Sequence, residues 1–156
     1  MKHARDLSGQ MPVGHMAEMD GISAMAVACL RAWNQGGAMR AHAMLCERMT
    51  EPMATASFEA LHDVTEVLGS NVRRPLRCHA PQCDCVGLDE AAFARFVEEA
   101  ALGEREDALM LASLLVAPRG ILPLADAAGR LGLALHRAVL CQQTQAIPDP
   151  VNQTRH

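Results

Sequence analysis

Apolar side chains recur along this chain at intervals of three and four, the spacing that gathers them on one face of an α-helix. Ile22, Met25, Ala26, Cys29 and Trp33 form the first run, with Asp20 or Ser23 able to cap its start and Gly36-Gly37 able to stop it. Met39, His42, Ala43, Cys46 and Met49 form a second, which predicts a helix over 38–50 with that face inward, interrupted by Pro52. The two together predict a helical hairpin. Phe58, Leu61, Thr65 and Leu68 mark a third helix, capped by Thr55 or Ser57 and closed by Gly69. Asp89 is a cap for a fourth, with Phe93, Phe96, Val97 and Ala100 inward and Gly103 as its stop. Glu104 opens a fifth that buries Ala108, Leu111, Leu114 and Leu115 and ends before Pro118. A sixth begins at Pro123 and follows Leu124, Ala127, Ala128, Leu131, Leu135 and Ala138, where Gly129 and Gly132 allow a close helix crossing. No hairpin signal, internal repeat or Gly-rich phosphate loop interrupts this pattern. The expected fold is all-α, an irregular bundle of about six helices in two groups of three, joined by an ordered Cys/His-rich central loop.

Domain organisation follows from where the period is lost. Residues 1–20 hold no sustained period and contain Gly9, Pro12 and Gly14, so they predict a flexible or loosely docked N-terminal arm. Residues 21–141 form a single helical domain, and 142–156 are polar with two prolines, a flexible C-terminal tail. At 156 residues, half of them hydrophobic, one core is expected. With one Trp, three Phe and no Tyr, a base-stacking platform or aromatic-lined pocket is disfavoured. A formal charge of -4 offers nucleic acid no electrostatic footprint, and no run reaches the roughly 20 apolar residues of a membrane span. The N-terminal charges are followed too late by apolar residues to make a secretory signal; Cys29 and Cys141 fall within helical patterns, and Cys83 and Cys85 are too close in sequence for an easy mutual disulfide. A reducing cytoplasm suits such thiols.

The chemistry is concentrated in Cys78-His79-Ala80-Pro81-Gln82-Cys83-Asp84-Cys85, within a stretch (70–88) that carries neither helical nor strand period. Four soft or borderline donors in eight residues reach the density a tetrahedral zinc site needs, with donors about 2.0–2.3 Å from the ion. His79, Cys83 and Cys85 are the expected ligands. Cys78 competes with His79, because adjacent residues seldom face one ion. The fourth donor is Cys46, Cys78 or His42, since His42 and Cys46 stand four apart on one helix face. The spacing His-x3-Cys-x-Cys loosely resembles the His-x3-Cys-x2-Cys motif of zinc-containing anti-sigma factors. The likeness covers about eight residues; this chain has one residue between its last two cysteines and places Pro81 inside the motif, which in that family lies on a helix.

These residues lead to a small metal-binding helical protein with a structural zinc, acting as a binding or regulatory module rather than an enzyme, because four protein ligands leave no open position. The alternative is a thiol redox sensor or metal-handling accessory protein using the same cysteines reversibly, with Arg73, Arg74 and Arg77 favouring thiolate and Cys78 and Cys83 able to pair. An open three-ligand site would allow metal-assisted hydrolysis with Asp84 or Glu90 as base. Copper and iron are weaker candidates. Nine of ten methionines fall in the first 53 residues, with Met11, Met16 and Met19 beside His15, but core spacing explains Met25, Met39 and Met49. Glu59 and His62 match only half of a di-iron pattern. The expected partner is another protein or a second copy of the chain, met through an apolar or Met-rich surface.

Overall fold

A computed structural model of the chain describes residues 8–146, with 78% of the structure helical. The all-α expectation holds in the main, with five helices rather than six and a small two-stranded sheet. The helices are α1 (Gly21–Arg48), α2 (Glu51–Asn71), α3 (Leu88–Leu102), α4 (Arg105–Leu115) and α5 (Ile121–Gln145). The expected tail thus lies in α5 as far as Gln145, and residues 1–7 and 147–156 of the arm and tail lie outside the described residues.

The expected first and second helices are one run because α1 does not end at Gly36-Gly37 but breaks there. Gly37 has φ +65° and ψ −153°, a backbone that only glycine adopts without strain. The break turns the chain sharply back. Ala28, Arg31 and Ala32 share a crevice with Met44 and Arg48, residues that a straight helix would hold about 18–30 Å away. The break also sets which face of the second half is covered. Ala41, Met44 and Leu45 are buried, whereas Met39, His42, Ala43 and Cys46, expected inward, are exposed.

Local start signals hold in part. The Asp20 carboxylate caps α1 by accepting from the Ser23 backbone N–H at 2.8 Å. Pro52, expected to interrupt, sits in the first turn of α2, where its missing N–H costs no helical bond, so α2 starts before Thr55 and Ser57. Gly69 does not close α2, which runs on to Asn71. Gly103 ends α3 in the left-handed conformation, as its position suggests. In α4 the buried face is Ala108, Ala112 and Leu115, which leaves Leu114 67% exposed on the flank.

The core is centred on α5, which packs most extensively on α2 and α3, and it contains Phe93, Phe96, Leu61, Leu124, Leu131 and Leu135. All six apolar positions expected of the last helix are buried. No described helix is long and apolar enough to cross a membrane. The sheet was not legible as a pattern: β1 (Pro12–His15) and β2 (Cys85–Gly87) are too short for an alternation to register. They pair antiparallel as Pro12↔Gly87, Gly14↔Val86 and His15↔Cys85, with an irregularity between Pro12 and Gly14. Met16 N–H to Asp84 O (2.8 Å) and Leu88 N–H to Met11 O (3.0 Å) extend the contact at both ends.

The close crossing of α3 and α5 is made at Gly132. A Cβ there would stand 2.5 Å from Ala101 Cβ and 2.8 Å from Val97 O, whereas at Gly129 the nearest atom would be Ala100 O at 3.4 Å. Gly132→Ala is therefore expected to destabilise by about 1–3 kcal/mol through overpacking. Gly129→Ala should lie within about 1 kcal/mol of wild type, because alanine's better helix propensity offsets the tighter contact. Paired urea denaturation curves check the contrast.

Candidate functional site

The segment from Arg73 to Asp84, between α2 and β2, is ordered by backbone and carboxylate contacts. Arg73 N–H donates to Leu115 O at 3.0 Å, and its Nε to Ser113 O at 2.9 Å. The Asp89 carboxylate accepts two hydrogen bonds from Arg74, at 2.7 and 2.8 Å, and a third from the Arg77 backbone N–H. Asp89 was expected to cap the fourth helix. It is instead the second residue of α3, turned toward Arg74, and Gly87 precedes the helix. The carboxylate that serves the helix start is Glu90, which accepts from the Gly87 N–H at 2.9 Å.

Glu90 and Arg31 form the centre of the site. Both are buried, Arg31 at 3% exposure and Glu90 at none. Arg31 donates from Nε and Nη2 to the two Glu90 oxygens at 2.7 and 3.0 Å, the fork geometry that strengthens such a pair. Its remaining donors reach into the cysteine loop, Nη1 to Cys83 O at 2.7 Å and Nη2 to Cys85 O at 2.6 Å. Glu90 also accepts from the His79 N–H at 2.9 Å. One ion pair from α1 and α3 therefore holds the backbone at residues 79, 83, 85 and 87.

Above this pair the loop makes a turn, with Cys83 N–H donating to Ala80 O at 3.0 Å and Pro81 in the position whose φ suits it. The turn returns Cys83 to His79, placing Sγ 3.4 Å from Nδ1. The other ring nitrogen, Nε2, lies 2.9 Å from Gln10 O. A carbonyl only accepts, so Nε2 carries a proton, and in the neutral ring Nδ1 is left as an acceptor facing the thiol. When the thiol proton moves to Nδ1 the pair becomes thiolate and imidazolium. The Cys85 backbone N–H and the His79 ring hold the Cys83 thiol below its ordinary pKa. The bond to Cys83, and then the Gln10 carbonyl, raise His79.

The neighbouring thiols behave differently. Burial, with the Glu90 charge second, pushes Cys78 up to about 12, so it stays protonated against the core. Cys85 is raised by burial and then by Cys83. All six cysteines are free thiols.

The expected ligands are thus placed as two pairs with Cys85 beside one of them. His79 meets Cys83, and on the exposed face of α1 Cys46 Sγ lies 3.8 Å from both ring nitrogens of His42. Among the described residues no group of three or more His, Cys, Asp or Glu side chains is arranged to hold a metal ion. Glu90, weighed above as a hydrolytic base, has its oxygens occupied by Arg31 and two backbone N–H groups. The positive charge near the loop thiols comes from Arg31, while Arg73 and Arg74 are engaged by Ser113 and Asp89. Arg31 was missed by periodicity, yet it is the lone charged residue between Gly21 and Met39, and a lone arginine in an apolar run asks for a buried acid. In comparisons with known proteins no family model matches the chain, and neither a curated protein nor a solved structure matches it.

The ion pair makes a testable statement about pH. Burial acts to raise the Glu90 carboxyl, but Arg31 and the Gly87 and His79 N–H groups outweigh it and hold the pKa below the usual 4.5. A depressed folded-state pKa contributes stability that is present above the unfolded value and is lost as pH falls through the folded one. Glu90→Gln, which leaves the Arg31 charge buried without a counter-charge, is expected to cost about 3–5 kcal/mol near neutral pH. Below about pH 4 the gap between variant and wild type should narrow, as denaturant midpoints across pH would show.

Proposed function

We propose that this chain is a thiol redox module, with Cys83 as the reacting thiolate, His79 as its proton partner and Cys85 as the second thiol. The observation that carries this reading is the 3.4 Å approach of Cys83 Sγ to His79 Nδ1, with Gln10 O fixing the tautomer. A nucleophile, a base and a group that orients the base are the parts such chemistry requires. The oxidant is a hydroperoxide. The thiolate attacks its terminal oxygen, the O–O bond breaks, and the leaving alkoxide takes the proton from His79, giving a sulfenic acid and an alcohol or water. The Cys85 thiol then displaces hydroxide as water, and a Cys83–Cys85 disulfide forms.

Closing that disulfide has a structural consequence. Side chains two apart on extended backbone must draw their Cβ atoms to about 3.8 Å, which bends the chain at Asp84. Asp84 O and Cys85 hold Met16 and His15 of the arm, so oxidation loosens the β1–β2 pairing and changes the surface offered to a partner. This makes the protein a regulatory module and places it in a reducing compartment such as the cytoplasm. A structural zinc would draw on the same residues and compete with this chemistry, since its ligand set needs a third and fourth donor brought to His79 and Cys83.

Alkylation by iodoacetamide, followed by mass spectrometry of each cysteine, tests the reading. Cys83 should react several-fold faster at pH 7 than Cys46 and Cys141, which are exposed, and its rate should rise at a lower pH than that of an ordinary thiol such as free cysteine. His79→Asn should move that inflection upward. Equal rates for all three cysteines would sink the proposal, as would one zinc per purified chain with the loop thiols protected until the metal is chelated.

A further inference from the structure

We propose that Gly9, Gly87 and Asp89 form a latch that seats the Gln10 carbonyl of the N-terminal arm on the His79 ring, so that docking of the arm sets the reactivity of Cys83. The consequence for Cys83 rests on the redox reading; the seating itself does not. Gly9 lies in the short 3₁₀ helix Ser8–Gln10 and is buried. A Cβ at Gly9 would overlap the Asp89 carboxylate, with Cγ at 2.5 Å, so glycine alone lets the arm lie this close to α3. The carboxylate has little freedom to yield, because two bonds from Arg74 and one from the Arg77 backbone N–H hold it at 2.7–2.8 Å.

The second glycine closes the latch from the other side. A Cβ at Gly87 would stand 3.0 Å from Gly9 O and 3.1 Å from both Cδ2 and Nε2 of His79, so its absence gives the arm and the imidazole edge one shared slot. In that slot Nε2 donates to Gln10 O at 2.9 Å, and Leu88 N–H holds the next carbonyl, Met11 O, at 3.0 Å. The chain is thus fixed on both sides of Gln10. Asp89 touches neither the thiol nor the imidazole; it is a positioning residue that acts through Gly9. With the arm seated, Nε2–H has a fixed acceptor, Nδ1 faces Cys83 Sγ at 3.4 Å, and the imidazolium formed on proton transfer keeps a carbonyl for its second N–H. With the arm drawn off, Nε2 meets water and the ring loses the contact that orients it. The coupling is reciprocal. Oxidation that bends the chain at Asp84 and loosens β1 from β2 withdraws the same carbonyl.

The test is nuclear magnetic resonance of the isotope-labelled full chain, read for the His79 Nε2–H proton, beside the iodoacetamide rate of Cys83. Gly9→Ala and Gly87→Ala are compared with Gly14→Ala, on the same arm, where a Cβ meets nothing within 4 Å. Wild type and Gly14→Ala are expected to show an Nε2–H proton protected from exchange with water and a fast Cys83. Gly9→Ala and Gly87→Ala should lose the protected proton, and their Cys83 rate at pH 7 should fall several-fold, with helical circular dichroism retained. A protected proton that survives in both variants overturns the proposal, as does a Cys83 rate that stays at the wild-type level once the proton is lost. A wild-type Cys83 no faster than Cys46 and Cys141 strikes the redox reading instead, and loss of the protected proton in Gly9→Ala then still supports the seating.

Discussion

The buried pair of Arg31 and Glu90 is the constraint on which the rest of the site depends. An arginine and a glutamate taken out of water each cost several kcal/mol, and that cost is recovered only when their hydrogen-bonding positions are met. Here Arg31 makes four hydrogen bonds and Glu90 accepts four, and no described buried side-chain nitrogen or oxygen lacks a partner. The partners come from α1, α3, the loop and the start of β2. Losing any one of these elements would leave a charge buried and poorly matched, so the pair ties the loop, which buries little apolar surface of its own, to the packed helices α1 and α3.

That coupling explains how a loop without regular period is ordered. Residues 73–87 bury few apolar groups, and their backbone polar groups need partners in a partly dry setting. Asp89 and Glu90, adjacent at the start of α3, supply acceptors for the Arg77, His79 and Gly87 N–H groups, while Arg31 supplies donors for two carbonyls. The expectation of a structural zinc assigned this ordering to an ion. The carboxylates and the arginine make the hydrogen bonds that order it in this structure.

Much of the helical scaffold was legible because α3 and α5 each have one buried face and one wet face, and their period reports this directly. The Cys/His segment was legible as a place where chemistry collects, since cysteine and histidine are conspicuous by type. Its wiring was not. Arg31 and Glu90 are 59 residues apart and neither repeats with any period, so their pairing is a tertiary fact. β1 likewise exists because β2 and the Asp84 carbonyl offer it backbone partners, and its own four residues, Pro-Val-Gly-His, carry no strand preference strong enough to show.

The reversed face of α1 shows what periodicity cannot supply. Spacing says that Met39, His42, Ala43 and Cys46 share a side; the dihedral angles of Gly36 and Gly37 decide whether that side meets the core or the solvent. The consequence is chemical as well as geometric, because the chain carries the same His-x3-Cys spacing twice. In His79 and Cys83 a turn makes the approach, and a carbonyl occupies the far ring nitrogen, so one nitrogen alone faces the sulfur and a proton can be passed between them. In His42 and Cys46 a helical turn makes it, both ring nitrogens stand equally far from the sulfur, and the pair opens outward. The backbone beneath each pair, more than the residues themselves, separates a sulfur that faces a single ring nitrogen from one that faces neither.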